Sequence, residues 1–123
     1  MFRLYAFIAA LLGALAIVIG AFGAHAITDP RAHGLIATGA HYHLTHALAA
    51  FAAIAFWRWG ARKARFVAPL FFFGIGLFSG SLYALALGAP SWAGAITPLG
   101  GLCFIAGWGV LAWAALSLTD PVS

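Results

Sequence analysis

The sequence contains no glutamate, and Asp29 and Asp120 are its only acids. That absence removes the paired carboxylates on which general acid–base catalysis most often rests. Cysteine is equally scarce: Cys103 stands alone, so no intramolecular disulfide can form and cysteine usage says nothing of redox compartment. Charge of either sign is rare, at 7% of 123 residues, whereas 65% of the residues are hydrophobic. A soluble domain of this length cannot hide so much apolar surface, so the solvent for most of the chain is lipid. The net charge of +4 does not point to nucleic acid. Six basic residues on so apolar a chain read instead as topology signals.

A helical crossing of the bilayer takes about 20 mostly apolar residues. The chain accommodates four, and one transmembrane domain, residues 1–123, is expected, with spans at about 4–26, 38–59, 66–88 and 93–118. Ala24-His25-Ala26 resembles a signal-peptide cleavage site, but the apolar run before it is longer than a signal core of roughly 7–15 residues. Asp29-Pro30 pairs a good N-cap with a residue suited to the first helical position, so a helix should restart there. Gly34 and Gly39 weaken the first turns of that helix, and a break is expected near Gly39. The second span is counted backwards from Trp57-Arg58-Trp59, an interfacial anchor of aromatic rings and a snorkelling arginine. Its uninterrupted apolar run, residues 47–57, is too short to cross alone, so the helix must carry His41, His43 and His46 into or near the membrane. Pro69 falls in the first turn of the third span, where proline is tolerated. Gly88-Ala89-Pro90-Ser91 should form a tight turn. Pro98 and Gly100-Gly101 should kink the fourth span or delay its regular part.

Four spans put Arg3, Arg58, Arg62, Lys63 and Arg65 on one side and Arg31 on the other. The positive-inside rule makes the first side cytoplasmic, with both termini there and the chain integral to an inner (plasma) membrane.

All five histidines fall between His25 and His46. At about 1.5 Å per residue, His25 lies about 33 Å from Arg3, near the outer boundary, and His46 lies about 18 Å from Arg58, inside the hydrocarbon. His33 is expected to be exposed in the outer connection. His43 and His46 are three apart and share a helix face. Imidazole suits zinc, copper and haem iron, so His43 and His46 are candidate ligands, with His25 reaching in from the first span. Histidine also titrates near neutral pH, which admits a proton path. The plainer reading is that these rings face the bundle interior and bond to Thr45, Ser79, Ser81, Tyr83 or backbone carbonyls. An H-x-H-x-x-H spacing is not a specific metal signature, and no bound cofactor is expected.

Small residues suggest where helices meet. Gly13, Gly20, Gly76, Gly80 and Gly107 are the candidate packing positions, since small-x-x-x-small spacing lets backbones approach closely in lipid. Ser79 and Ser81 beside Gly80 are placed to bond across helices.

Several stretches occur together in order: Gly20-Ala21-Phe22-Gly23-Ala24-His25; Thr38-Gly39 with Tyr42 and His46-Ala47-Leu48-Ala49; Leu77-Phe78-Ser79-Gly80-Ser81-Leu82-Tyr83; and Ile96-Thr97-Pro98-Leu99-Gly100-Gly101 with Ala106-Gly107-Trp108. Over nearly the whole chain this resembles the YgdD-like family of small inner-membrane proteins of unknown function, which has relatives among animal mitochondrial membrane proteins. The resemblance implies four transmembrane helices and brings no catalytic residue with it. His25 and His46 fall within the matching stretches; His41 and His43 depart from the pattern, which argues against a multi-histidine metal site common to the family.

The expected fold is an all-α four-transmembrane-helix bundle. The expected function is that of a non-enzymatic membrane protein, an accessory or scaffold component whose partners are the lipid bilayer and other membrane proteins or itself. A metal- or haem-binding protein using the outward-facing histidines is the alternative. A small transporter is a third class, disfavoured because neither aspartate lies within a span and only histidine could couple protons.

Overall fold

The chain turns three times, and each reversal has a local cause. The computed structural model describes residues 1–120; among these the chain forms four long helices and no strand. The helices are Phe2–Ala26, Pro30–Arg58, Arg62–Ala86 and Ser91–Ala115. At the first reversal the Asp29 carboxylate accepts from the Ala32 N–H at 2.9 Å and Pro30 opens the second helix. Pro30 supplies no N–H that would need a partner there. The other two reversals are both Schellman turns. Ala61 donates to the Phe56 carbonyl and Gly60 to Trp57; Ala89 donates to Ala84 and Gly88 to Leu85. Each requires a left-handed residue after the helix end, and Gly60 (φ +104°) and Gly88 (φ +100°) are the residues with positive φ.

The spans differ in detail from those expected. The second helix restarts at Pro30, as Asp29-Pro30 predicts, and runs unbroken for 29 residues, with no break near Gly39. Gly39 is needed for closeness rather than for a break, since a Cβ there would come within 2.7 Å of Tyr83 Cε1. The third helix occupies Arg62–Ala86 rather than 66–88, and the fourth Ser91–Ala115 rather than 93–118. Both enter through a 3₁₀ turn, Arg62–Phe66 and Ser91–Ala95 respectively. The delay expected of the fourth helix is present: its α-helical part starts at Thr97 with Pro98 in the first turn, where no intrahelical bond is lost. The third helix also contains a π turn at Ile75–Ser79, an insertion that the sequence did not announce.

Three of the four helices are long and apolar enough to cross a membrane: the first, third and fourth. The second, the longest, carries four of the five histidines and packs against each of the other three. It buries Ile36, Gly39, His43, His46, Ala47, Ala49, Ala50, Ala53 and Ile54 against its neighbours. Its alanines pack with Ala9, Val67, Ala68, Phe71, Ile75, Phe104 and Leu111 into one core. The first helix is the most peripheral, with only Ala9, Ala16 and Gly23 buried.

The basic residues gather at one end. Arg58 lies 5.2 Å over the Phe2 ring, Phe2 packs 4.3 Å from Trp57, and Lys63 sits 4.0 Å over Trp113. The start of the first helix, the second turn-around and the end of the fourth helix therefore lie together, while Arg31 stands in the first turn of the second helix at the other end.

The closest helix approaches are not all at the expected glycines. A Cβ at Gly13, Gly76 or Gly80 would meet nothing within 4 Å. The third helix turns Phe71, Gly74, Ile75, Ser79 and Leu82 inward, which leaves Gly76 exposed on the opposite side. Gly20 stands 3.6 Å from the Ala40 Cβ, and Gly107 takes the Phe71 ring, at 2.5 Å from a would-be Cβ. The approaches not foreseen are Gly23 on Ile36, Gly39 on Tyr83, Gly74 on Phe104 and Gly100 on the backbone of Phe78. Gly100 thus lies directly against the π turn.

Two substitutions separate these classes. Gly100→Ala drives a methyl into main chain that cannot step aside, and should destabilise the bundle by about 1–3 kcal/mol. Gly13→Ala meets open space and should be neutral or stabilising by up to about 1 kcal/mol. Unfolding of the purified protein with sodium dodecyl sulfate from mild detergent micelles measures both.

Candidate functional site

The second helix brings its two buried histidines to different neighbours. His43 and His46 are 1% and 4% exposed. They follow one another at a spacing of three, yet their bonds diverge. His43 Nδ1 shares a hydrogen bond of 2.9 Å with the Tyr83 hydroxyl of the third helix. Its Nε2 is the one buried side-chain nitrogen or oxygen among the described residues that has no hydrogen-bond partner.

His46 is engaged at both nitrogens. Nδ1 lies 2.7 Å from the Tyr42 carbonyl, one turn back on the same helix, and Nε2 lies 3.0 Å from the Trp108 indole nitrogen of the fourth helix. A carbonyl can only accept and an indole N–H can only donate. His46 therefore carries its proton on Nδ1 and is neutral, with the Nε2 lone pair held by Trp108. The ring is clamped as well as bonded. It stacks on Phe104 with centroids 3.6 Å apart and planes 10° apart, and meets Phe71 edge-on at 5.1 Å. Small residues make room for this: Gly107 admits Phe71 and Gly74 admits Phe104.

Hydroxyls complete the interior. Ser79, fully buried in the π turn, donates to the Gly39 carbonyl at 2.7 Å, joining the third helix to the second. A π turn widens the helix by one residue, and here that residue's worth of backbone carries Ser79 against Gly39. Ser81 bonds to Thr97 on the fourth helix, and Thr45 donates to the His41 carbonyl within its own helix.

The remaining histidines are apart from this interior. His25 is exposed in the last turn of the first helix and does not reach in as expected. His33 is exposed, but within the second helix rather than in a connection. His41 is exposed and lines a cleft of about 480 Å³ between the second and fourth helices. Tyr42, Thr45, His46, Phe78, Gly101, Phe104, Ile105 and Trp108 form the rest of its wall. Among the described residues no three His, Cys, Asp or Glu side chains are grouped closely enough to hold a metal ion. His43 and His46 are in addition committed to different partners, so the pair read as candidate ligands does not converge on one point.

Tyr83, Ser79 and a backbone carbonyl were among the partners the sequence suggested. Trp108 was not. Its signal was an indole in mid-span, away from the headgroup level where tryptophan usually anchors.

The family described as "Protein of unknown function (DUF423)" matches residues 19–101. The chain is 39% identical to the UPF0382 membrane protein YwdK of Bacillus subtilis over 93% of its own length and 97% of the relative's. It is 37% identical to a UPF0382 membrane protein of Haemophilus influenzae, covering 90% and 92% of the two chains. The UPF0382 inner membrane protein YgdD of Escherichia coli K12 is likewise 37% identical, over 89% of this chain and 87% of that one. No solved structure matches.

Trp108→Phe keeps the ring and removes the donor. It should lower stability by about 0.6 kcal/mol and by no more than about 1.7. In ¹⁵N spectra of histidine-labelled protein it should move the His46 Nε2 resonance and leave its Nδ1–H in place. Tyr83→Phe should instead perturb His43 alone.

Proposed function

The chain belongs to the DUF423 family, and from that membership we propose that it acts as a non-enzymatic component of the inner membrane, an accessory or scaffold subunit that crosses the bilayer four times. It is an all-helical membrane protein, and the relatives YwdK and YgdD carry "membrane protein" and "inner membrane protein" in their names. One observation carries the non-enzymatic reading. The buried polar side chains of the interior are spent on holding helices to one another: Ser79 on Gly39, Tyr83 on His43, Trp108 on His46. Neither aspartate joins them, since Asp29 caps the second helix and Asp120 is exposed beyond the fourth. Such an interior stabilises a shape and leaves interaction to the outside, where the first helix offers a nearly unpacked apolar face.

Four crossings are favoured by where the second helix sits. Its two buried imidazoles, His43 and His46, face the other helices rather than lipid, and it packs against all three apolar helices, so it shares the slab with them. The basic end is then cytoplasmic by the positive-inside rule, and both termini with it. A metal or haem at His46 would have to displace Trp108 from its Nε2, which leaves His43 Nε2 as the one unengaged ring nitrogen of the pair. Proton-coupled transport would fall to histidine alone.

Two measurements test this reading. Single cysteines in a Cys103→Ala background should be labelled by membrane-impermeant maleimide from outside intact cells at Thr28 and not at Arg62, both exposed positions; labelling at Arg62 would overturn the orientation. Extraction in a mild detergent should yield the chain within a larger complex, and recovery of this chain alone sinks the accessory role. A Soret band or stoichiometric metal in the same preparation would revive the cofactor alternative, and proteoliposome flux abolished by His46→Ala the transporter.

A further inference from the structure

The cleft between the second and fourth helices has a lining uneven in a way that specifies an occupant. Three rings of its wall are nearly parallel, whereas Phe78 and Trp108 are inclined to them. Tyr42 lies within 10° of parallel to His46 and 11° of Phe104, which are themselves stacked. Tyr42 and Trp108 leave open faces, at 41% and 45% exposed. At one end stands His41, exposed and edge-on to Tyr42 at 5.5 Å. Among the described residues no hydrogen bond engages its imidazole, so the ring retains one donor and one acceptor for a guest. No lysine, arginine, aspartate or glutamate lines the cleft.

Depth orders these groups. His41 is 17 residues from Arg58, about 26 Å along the helix, which sets it just inside the outer edge of a hydrocarbon slab about 30 Å thick. Trp108 is seven residues from the end of the fourth helix, about 10 Å above it. The cleft therefore runs from the outer membrane boundary toward the middle, with its hydrogen-bonding group at the top and its aromatic floor below. A volume of about 480 Å³ falls within the range of small-molecule sites.

We propose that this cleft binds an isoprenoid quinone, or a lipid-soluble molecule of the same chemistry: an uncharged planar ring bearing carbonyl acceptors on an apolar tail. The carbonyl accepts from the His41 imidazole, the ring stacks on Tyr42, and the tail lies down the groove past Ile105 toward Trp108. A phospholipid is a poorer match, because its phosphate would find no cation in the lining. The binding is non-covalent and transfers no electron, and it stands whether or not the protein serves as an accessory subunit.

The test is titration of the purified protein, in nanodiscs of phosphatidylethanolamine and phosphatidylglycerol, with decylubiquinone, read by quenching of tryptophan fluorescence. Saturable quenching is expected, with Trp108→Phe removing the largest single share of it. His41→Ala, an exposed change that leaves the fold intact, should weaken binding by about fivefold, the equivalent of one hydrogen bond. Gly101→Leu, which fills the cleft, should abolish the saturable component while circular dichroism and the melting transition stay as in wild type. Quenching that rises linearly with quinone and is the same in Gly101→Leu and wild type reports partitioning into the bilayer and overturns the proposal. So does saturable binding that His41→Ala and Gly101→Leu both leave unchanged, since the site would then lie elsewhere.

Discussion

An imidazole in hydrocarbon has no water to bond with, and the way this fold answers that constraint organises most of its interior. The second helix brings two histidines into the bundle interior, and each must be met from another element or from its own backbone. His46 is met twice, by the Tyr42 carbonyl and the Trp108 indole, and is then sandwiched between rings. His43 is met by Tyr83. These bonds fix how the third and fourth helices are rotated about their axes, because an indole or a phenol reaches its target from one setting only. The two side chains of that helix that could least tolerate lipid are accordingly the ones turned toward its neighbours.

Enclosure on this scale requires close backbones. Alanines at 47, 50 and 53 and glycines at 39, 74, 100 and 107 give the second, third and fourth helices room to approach. In lipid there is no hydrophobic drive between helices, so packing contact and interhelical hydrogen bonds have to supply the association. The π turn at Ile75–Ser79 belongs to the same arrangement. It abuts Gly100 on one side and delivers Ser79 to the Gly39 carbonyl on the other, so one local irregularity serves two interfaces.

The same bonds limit function. Polar groups that bond to one another inside the bundle are held by those bonds; His43 Nε2 is the buried exception among the described residues, and the other groups left available are peripheral: the first helix, the basic end, and the cleft topped by His41.

Much of the fold was legible in the amino-acid order, because the signals involved are local. Lipid as solvent followed from composition, the restart of the second helix from Asp29-Pro30, the last reversal from Gly88-Ala89-Pro90, the late start of the fourth helix's regular part from Pro98, and the gathered bases from their spacing. The rotation of each helix was not legible. A helix that is apolar all round carries no preferred face in its sequence, so nothing local distinguished Gly76, which looks outward, from Gly74, which receives Phe104. For the same reason two histidines three apart looked like one site, whereas tertiary packing sent one to Tyr83 and the other to Trp108. Those pairings depend on contacts 40 and 62 residues apart along the chain, and only the assembled bundle brings such partners together.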